Sequence, residues 1–119
     1  MSNFRKLLVW QKSMSLTTKI YDNTKSFPKE EIFGLTSQLR RCAISVPSNI
    51  AEGFGRDSKN ELIRFLNISV GSLFELQTQL EIAKNIHYLD EEEFNNLYED
   101  SREVERMLIA FIKKIKGSN

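Results

Sequence analysis

Cysteine, histidine and tryptophan each occur once in the 119 residues, proline twice and glycine five times. Each scarcity excludes something. A single cysteine, Cys42, cannot form an internal disulfide and fits a reducing compartment. So few prolines and glycines argue against a β-rich chain built on tight turns. No apolar run approaches the ~20 residues that a membrane-spanning helix needs. The amino-terminal MSNFRKLLVWQK has a short apolar patch without the h-region or cleavage site of a signal peptide. The expected location is the cytoplasm. Charge of one sign is also missing: 17 Lys/Arg against 16 Asp/Glu give a net charge of +1, which is no global basic field.

Catalytic and metal-binding signatures are as sparse. His87 has no second or third ligand at metal-site spacing, and no Glu-x-x-His occurs among the carboxylates near the carboxyl terminus. Those carboxylates mostly miss the apolar phase and read as a solvated helix face. A Cys–His nucleophilic pair would need an orienting third group and an oxyanion hole, and neither has a signal. Gly53-Phe54-Gly55-Arg56 lacks the spacing and terminal Lys-Ser/Thr of a phosphate-cradling loop, and reads as a helix stop. The expectation is a protein without catalytic residues, metal or cofactor.

What is present is helical periodicity. Four segments show it, at about 6–26, 29–54, 58–87 and 91–116, and none shows sustained alternation. The first carries Leu7, Trp10, Met14, Thr17, Tyr21 and Thr24 along one face, and the second Ile32, Leu35, Leu39, Cys42, Val46 and Ile50. That second stripe keeps its phase through Pro47, which predicts one long helix bent there rather than a turn. An interior proline costs ~3 kcal/mol and strips the carbonyl four residues back, that of Ala43, of its partner. Nearby Ser or Asn side chains or water are expected to satisfy it. The third stripe runs Leu62, Leu66, Ser69, Leu73, Leu76, Leu80, Ala83, His87, and the fourth Phe94, Leu97, Ser101, Val104, Leu108, Phe111, Ile115. Ser58 with Glu61, and Asp90 with Glu93, have capping-box spacing. Short loops between similar helices predict antiparallel neighbours. The fold expected for residues 1–119 is all-α: a single up-down-up-down four-helix bundle, fraying at Gly117-Ser118-Asn119.

Opposite the apolar stripe of the second helix lies a polar one, Gln38, Arg41, Ser45, Ser48/Asn49, Glu52 and Arg56. The third helix answers with Ser72 and Glu75. Arg41, Ser45, Asn49, Glu52, Ser72 and Glu75 are expected to form a structural network between the two helices. The competing reading gives Arg40, Arg41 and Arg56 to phosphates. Residues 1–28 carry five Lys/Arg and one Asp, whereas residues 90–119 carry five Lys/Arg and eight Asp/Glu. These opposite charges can pair within the subunit, pair between subunits, or present separate faces. Apolar residues outside the stripes, such as Phe33 and Phe74, suggest a subunit interface.

VWQKS at 9–13, FPKEEIFGLTSQLRRCAISVPSNIAEGFGR at 27–56 and GSLFELQTQLEIA at 71–83 together resemble the bacterial four-helix bundle family of 23S rRNA intervening-sequence proteins. Arg41, Ser45, Pro47, Asn49, Glu52, Gly53, Arg56, Gly71, Ser72 and Glu75 match its motif. The resemblance implies the same fold and a ring of subunits, a pentamer. A related branch, the accessory variability determinant of diversity-generating retroelements, partners a reverse transcriptase and its template RNA. The function expected from this is a non-enzymatic, RNA-associated accessory or scaffold protein. Its candidate nucleic-acid contacts are Arg5, Lys6, Lys12, Lys19, Lys25, Arg40 and Arg56. The alternative is an adaptor ring that docks a partner protein without touching nucleic acid.

Overall fold

A computed structural model describes residues 3–117, so the expected fraying of Ser118 and Asn119 lies outside the described residues. A 3-10 turn over Phe4–Lys6 leads into α1 (Leu8–Thr24), and a second over Lys29–Glu31 precedes α2 (Leu35–Phe54). Then come α3 (Lys59–Asn85) and α4 (Glu91–Lys116). At ~1.5 Å per residue, α3 alone spans ~40 Å, most of the 48 Å long axis. Each helix packs on its chain neighbours, and α1 closes on α4, while the diagonal pairs make no close backbone approach. This is the four-helix bundle that the stripes predict.

The local signals act where they stand. Ser58 accepts the Glu61 amide at 3.0 Å to start α3. Asp90 and Glu93 exchange two capping bonds at 2.8 and 2.9 Å to start α4. The α3 stop is less expected. His87, which fits the apolar stripe by spacing, lies past the helix end, exposed, with φ 67°. Its amide donates to the Lys84 carbonyl at 3.0 Å and that of Tyr88 to Ala83 at 2.8 Å, the bond pattern of a left-handed helix stop.

Two more expectations are corrected. The second helix does not begin at 29, because Gly34 interrupts it at φ −113°, ψ −119°. There the Glu31 carboxylate turns back to accept the Leu35 amide at 3.1 Å, capping α2. A Cβ on Gly34 would sit 2.6 Å from that carboxylate oxygen, so glycine leaves the room. Glu31 also accepts the Tyr88 hydroxyl at 3.0 Å, which raises the phenol's pKa, chiefly through that bond and then through burial. In α1 the core stripe is Val9, Ser13, Leu16, Ile20 and Thr24, which shares only Thr24 with the predicted face, and Met14 is exposed. Ser13 and Thr24 turn inward at little cost because each hydroxyl donates to a carbonyl of its own helix, Trp10 and Ile20, at 2.8 Å. The core centres on fully buried Leu39, Val46, Ile50, Leu73, Leu76 and Leu80 of α2 and α3, facing Leu16, Ile20, Leu97 and Leu108.

Candidate functional site

α2 runs unbroken through Pro47, which is itself buried. The Ala43 carbonyl freed by the proline lies 3.1 Å from the Thr17 hydroxyl of α1, which shares its one proton between it and the Ser13 carbonyl of its own helix at 2.8 Å; no Ser or Asn from nearby in the chain serves it. On the opposite flank, Ser69 of α3 donates to the Val46 carbonyl at 2.9 Å. Side chains of both neighbouring helices therefore hold the backbone around Pro47.

The predicted network forms in part. The Ser45 and Ser72 hydroxyls are 2.8 Å apart across the α2–α3 seam, and the Asn49 amide reaches the Ser45 carbonyl and hydroxyl at 2.8 and 2.9 Å. Glu52 does not join it and instead pairs with Arg56 one turn on at 2.7 Å. Arg41 and Glu75 are exposed, and neither makes an ion pair or hydrogen bond among the described residues. Both line a cleft of about 410 Å³ between α2 and α3, with Ser45, Ser72, Cys42 and Phe33 on its walls. Burial, and secondly the Glu75 carboxylate, push the Cys42 thiol up to about 12. A thiol so high is neutral at physiological pH and no nucleophile.

The candidate cations divide. Lys12 pairs with Glu103 at 3.2 Å and Lys19 with Asp100 at 2.6 Å, both across the α1–α4 seam, and Lys25 pairs with Asp22 at 3.5 Å. Opposite charges of the first and last helices thus meet within one subunit. Arg40 is half-buried: it donates to the Thr24 hydroxyl at 2.9 Å and the Tyr21 carbonyl at 3.4 Å, over the Tyr21 ring. Its charge meets no carboxylate there. Arg56 and Arg64 both lie over the Phe65 ring, at 4.8 and 4.5 Å. Arg64 also pairs with Glu61 at 3.0 Å, and its hydrogen bond holds that carboxyl below the usual range. Arg5 and Lys6 are exposed, and no carboxylate partner of either is found among the described residues.

One acid of α4 departs from the expected solvated face: Glu105 is buried, accepts from Gln77 at 2.9 Å and pairs with Arg102 at 3.5 Å. Among the described residues no three His, Cys, Asp or Glu side chains converge to hold a metal ion. No described helix is long and apolar enough to cross a membrane.

A model of the family described as 23S rRNA-intervening sequence protein matches residues 5–110. The chain belongs to that family. Among solved structures it is similar to a protein of unknown function from the S23 ribosomal protein family of Bacteroides thetaiotaomicron. The two are 27% identical with a TM-score of 0.81, over 89% of this chain and 99% of the other. No curated protein matches. The α2–α3 seam, with Pro47, the Ser45–Ser72 bridge and the Arg41–Glu75 cleft, lies wholly inside the span that the 23S rRNA-intervening sequence family covers.

Proposed function

We propose that the protein is a non-enzymatic, homo-oligomeric scaffold that associates with RNA. The observation that carries the assembly half is the apolar surface around the α2–α3 seam. Phe33 is 92% exposed, and Phe74, Ile82 and Ile86 are exposed on α3 or just past its end. A helical pair that already buries a full core and still presents large apolar side chains is a candidate interface. The unpaired Arg41 and Glu75 beside it offer a self-complementary charge pair between copies. A five-subunit ring is the assembly the family resemblance implies, and it would multiply a modest anion-binding patch by avidity.

The RNA half is supported by the family's rRNA-related description and by the cations left without carboxylates. Such binding is electrostatic, weakly sequence-selective and steeply salt-dependent. One observation favours the adaptor reading instead: α4 neutralises the Lys12 and Lys19 positions of the first helix.

Size-exclusion chromatography with light scattering, with and without mixed RNA at low and moderate salt, separates the two. The scaffold reading expects an oligomer that binds RNA at low salt and releases it as salt rises. An oligomer indifferent to RNA at low salt would support the adaptor. Phe33→Ser should weaken self-association roughly ten- to hundred-fold, the equivalent of ~1.5–3 kcal/mol for a lost buried phenyl ring. Unchanged mass at all concentrations would remove Phe33 from the interface.

A further inference from the structure

The antiparallel pairs Lys12–Glu103 and Lys19–Asp100 set the start of α1 beside the end of α4. The Phe54–Phe111 stack at 5.8 Å brings the end of α2 to the same pole. Residues 3–11, 52–66 and 106–117 share this pole and hold nine Lys/Arg against three Asp/Glu. At the opposite pole, Tyr88 meets Phe27 and Glu31, and Lys84 approaches Glu91. Residues 22–34 and 81–96 there hold three Lys against eight Asp/Glu. A net charge near zero therefore conceals a bundle that is basic at one end and acidic at the other.

Helix dipoles explain part of this. Lys113, Lys114 and Lys116 stabilise the negative end of α4, as Glu91 to Glu93 suit its positive end. They do not explain Arg5 and Lys6, which stand just before α1, where the exposed amides of a helix start disfavour cations. Arg106, Arg5, Lys6 and the three lysines are exposed without a carboxylate partner among the described residues. The lysines also lie beyond residue 110, where the family match ends, so membership does not account for them.

We infer that this basic pole is the surface that takes the phosphate backbone of RNA. The inference rests on the RNA reading above and gives it a place, which is not the flank of α1. The end face is about 23 × 20 Å. Each strand of a duplex carries one phosphate charge per ~3.4 Å of axis, so one strand crossing a face that wide presents ~6–7 phosphates, enough for six cations. A lipid surface fits less well, because most of the apolar side of α4 is spent on the core and only scattered side chains such as Leu8 and Ile109 are exposed near this pole.

The test is fluorescence anisotropy with a labelled mixed-sequence RNA of about 20 nucleotides over a salt series. It compares the full chain with two variants. One replaces Arg5, Lys6, Lys113, Lys114 and Lys116 by Gln, and the other replaces Lys12, Lys19 and Lys25 by Gln. Circular dichroism and light scattering check that each variant keeps its fold and assembly. The pole variant should lose at least tenfold in affinity at low salt. Its log–log salt slope should be shallower by up to about 3.5, at ~0.7 for each of the five phosphates no longer neutralised. The flank variant should stay within about twofold. Loss in the flank variant with retention in the pole variant overturns the pole while sparing the RNA reading. No binding by the unmodified chain sinks both. Binding to phosphatidylserine vesicles in place of RNA overturns the inference in favour of a membrane.

Discussion

The α2–α3 seam and the α1–α4 seam close the same bundle by different physics. Between α2 and α3 the contact is short-range and neutral. Ser69 reaches the Val46 backbone, two hydroxyls hydrogen-bond across the seam, and Gly53 lies against α3. Between α1 and α4, long flexible chains reach across at the surface, where Lys12 and Lys19 meet Glu103 and Asp100 with all four side chains a third or more exposed. The first seam fixes shape, because atoms at van der Waals distance have nowhere to go. The second tolerates change, because water and salt can replace either partner.

The largest effect should come from filling the tight seam. A Cβ on Gly53 would lie 3.0 Å from the Phe65 Cβ, 3.1 Å from the Leu62 Cδ1 and 3.3 Å from the Leu62 carbonyl oxygen. Two of those atoms belong to, or are fixed on, the α3 backbone and cannot rotate away. Gly53→Val should cost roughly 3 kcal/mol by overpacking, read as a lower midpoint in urea at unchanged slope. Gly71, with nothing within 4 Å of its own Cβ position, is the contrast. Gly71→Ala should stabilise by up to ~1 kcal/mol, the gain from removing a glycine from a helix interior. Equal costs at both positions would contradict a seam defined by close approach.

A smaller effect should appear at Pro47, where α1 contributes to the α2 backbone. Thr17→Val keeps the shape but takes from the Ala43 carbonyl a hydroxyl it shares with the Ser13 carbonyl, at about 1–2 kcal/mol. Pro47→Ala restores a backbone N–H four residues on, so Thr17→Val should then cost less by ~1 kcal/mol. That coupling, measured by a double-mutant cycle, tests whether Thr17 serves the proline. Additive costs would show that it does not.

How much of this is legible in the sequence depends on what kind of information each feature carries. The bundle, the caps at Ser58 and Asp90 and the passage of α2 through Pro47 follow from periodicity and local chemistry, which a single chain displays. The α1 phase misleads because Ser13 looks polar in sequence, yet satisfies its hydroxyl on its own helix and so faces the core. The break at 29–34 is hidden because Ile32 continues the stripe of α2, whereas the Glu31 carboxylate folding back over Gly34 ends it. His87 fits the stripe of α3 by spacing, but the helix stops two residues earlier. The basic pole is invisible to charge counted by segment. Consecutive antiparallel helices alternate direction, so the charges that gather at one end are far apart in sequence.

The smallest effects belong to the α1–α4 seam. Lys12→Gln and Lys19→Gln each remove one exposed ion pair, worth less than ~1 kcal/mol. The Lys19 pair is the shorter, at 2.6 Å, and Lys19 also reaches Asn96 at 3.2 Å, so it should be the larger of the two. Both losses should shrink toward zero at about 1 M salt, where the screening length is ~3 Å. Urea unfolding of each variant at low and high salt reads this directly. The cost of Gly53→Val should persist at high salt, because close packing carries no charge to screen. If instead the lysine variants proved as damaging as Gly53→Val, and salt did not help, the flexible bridges would be holding shape as the tight seam does. The bundle would then have two rigid sides rather than one.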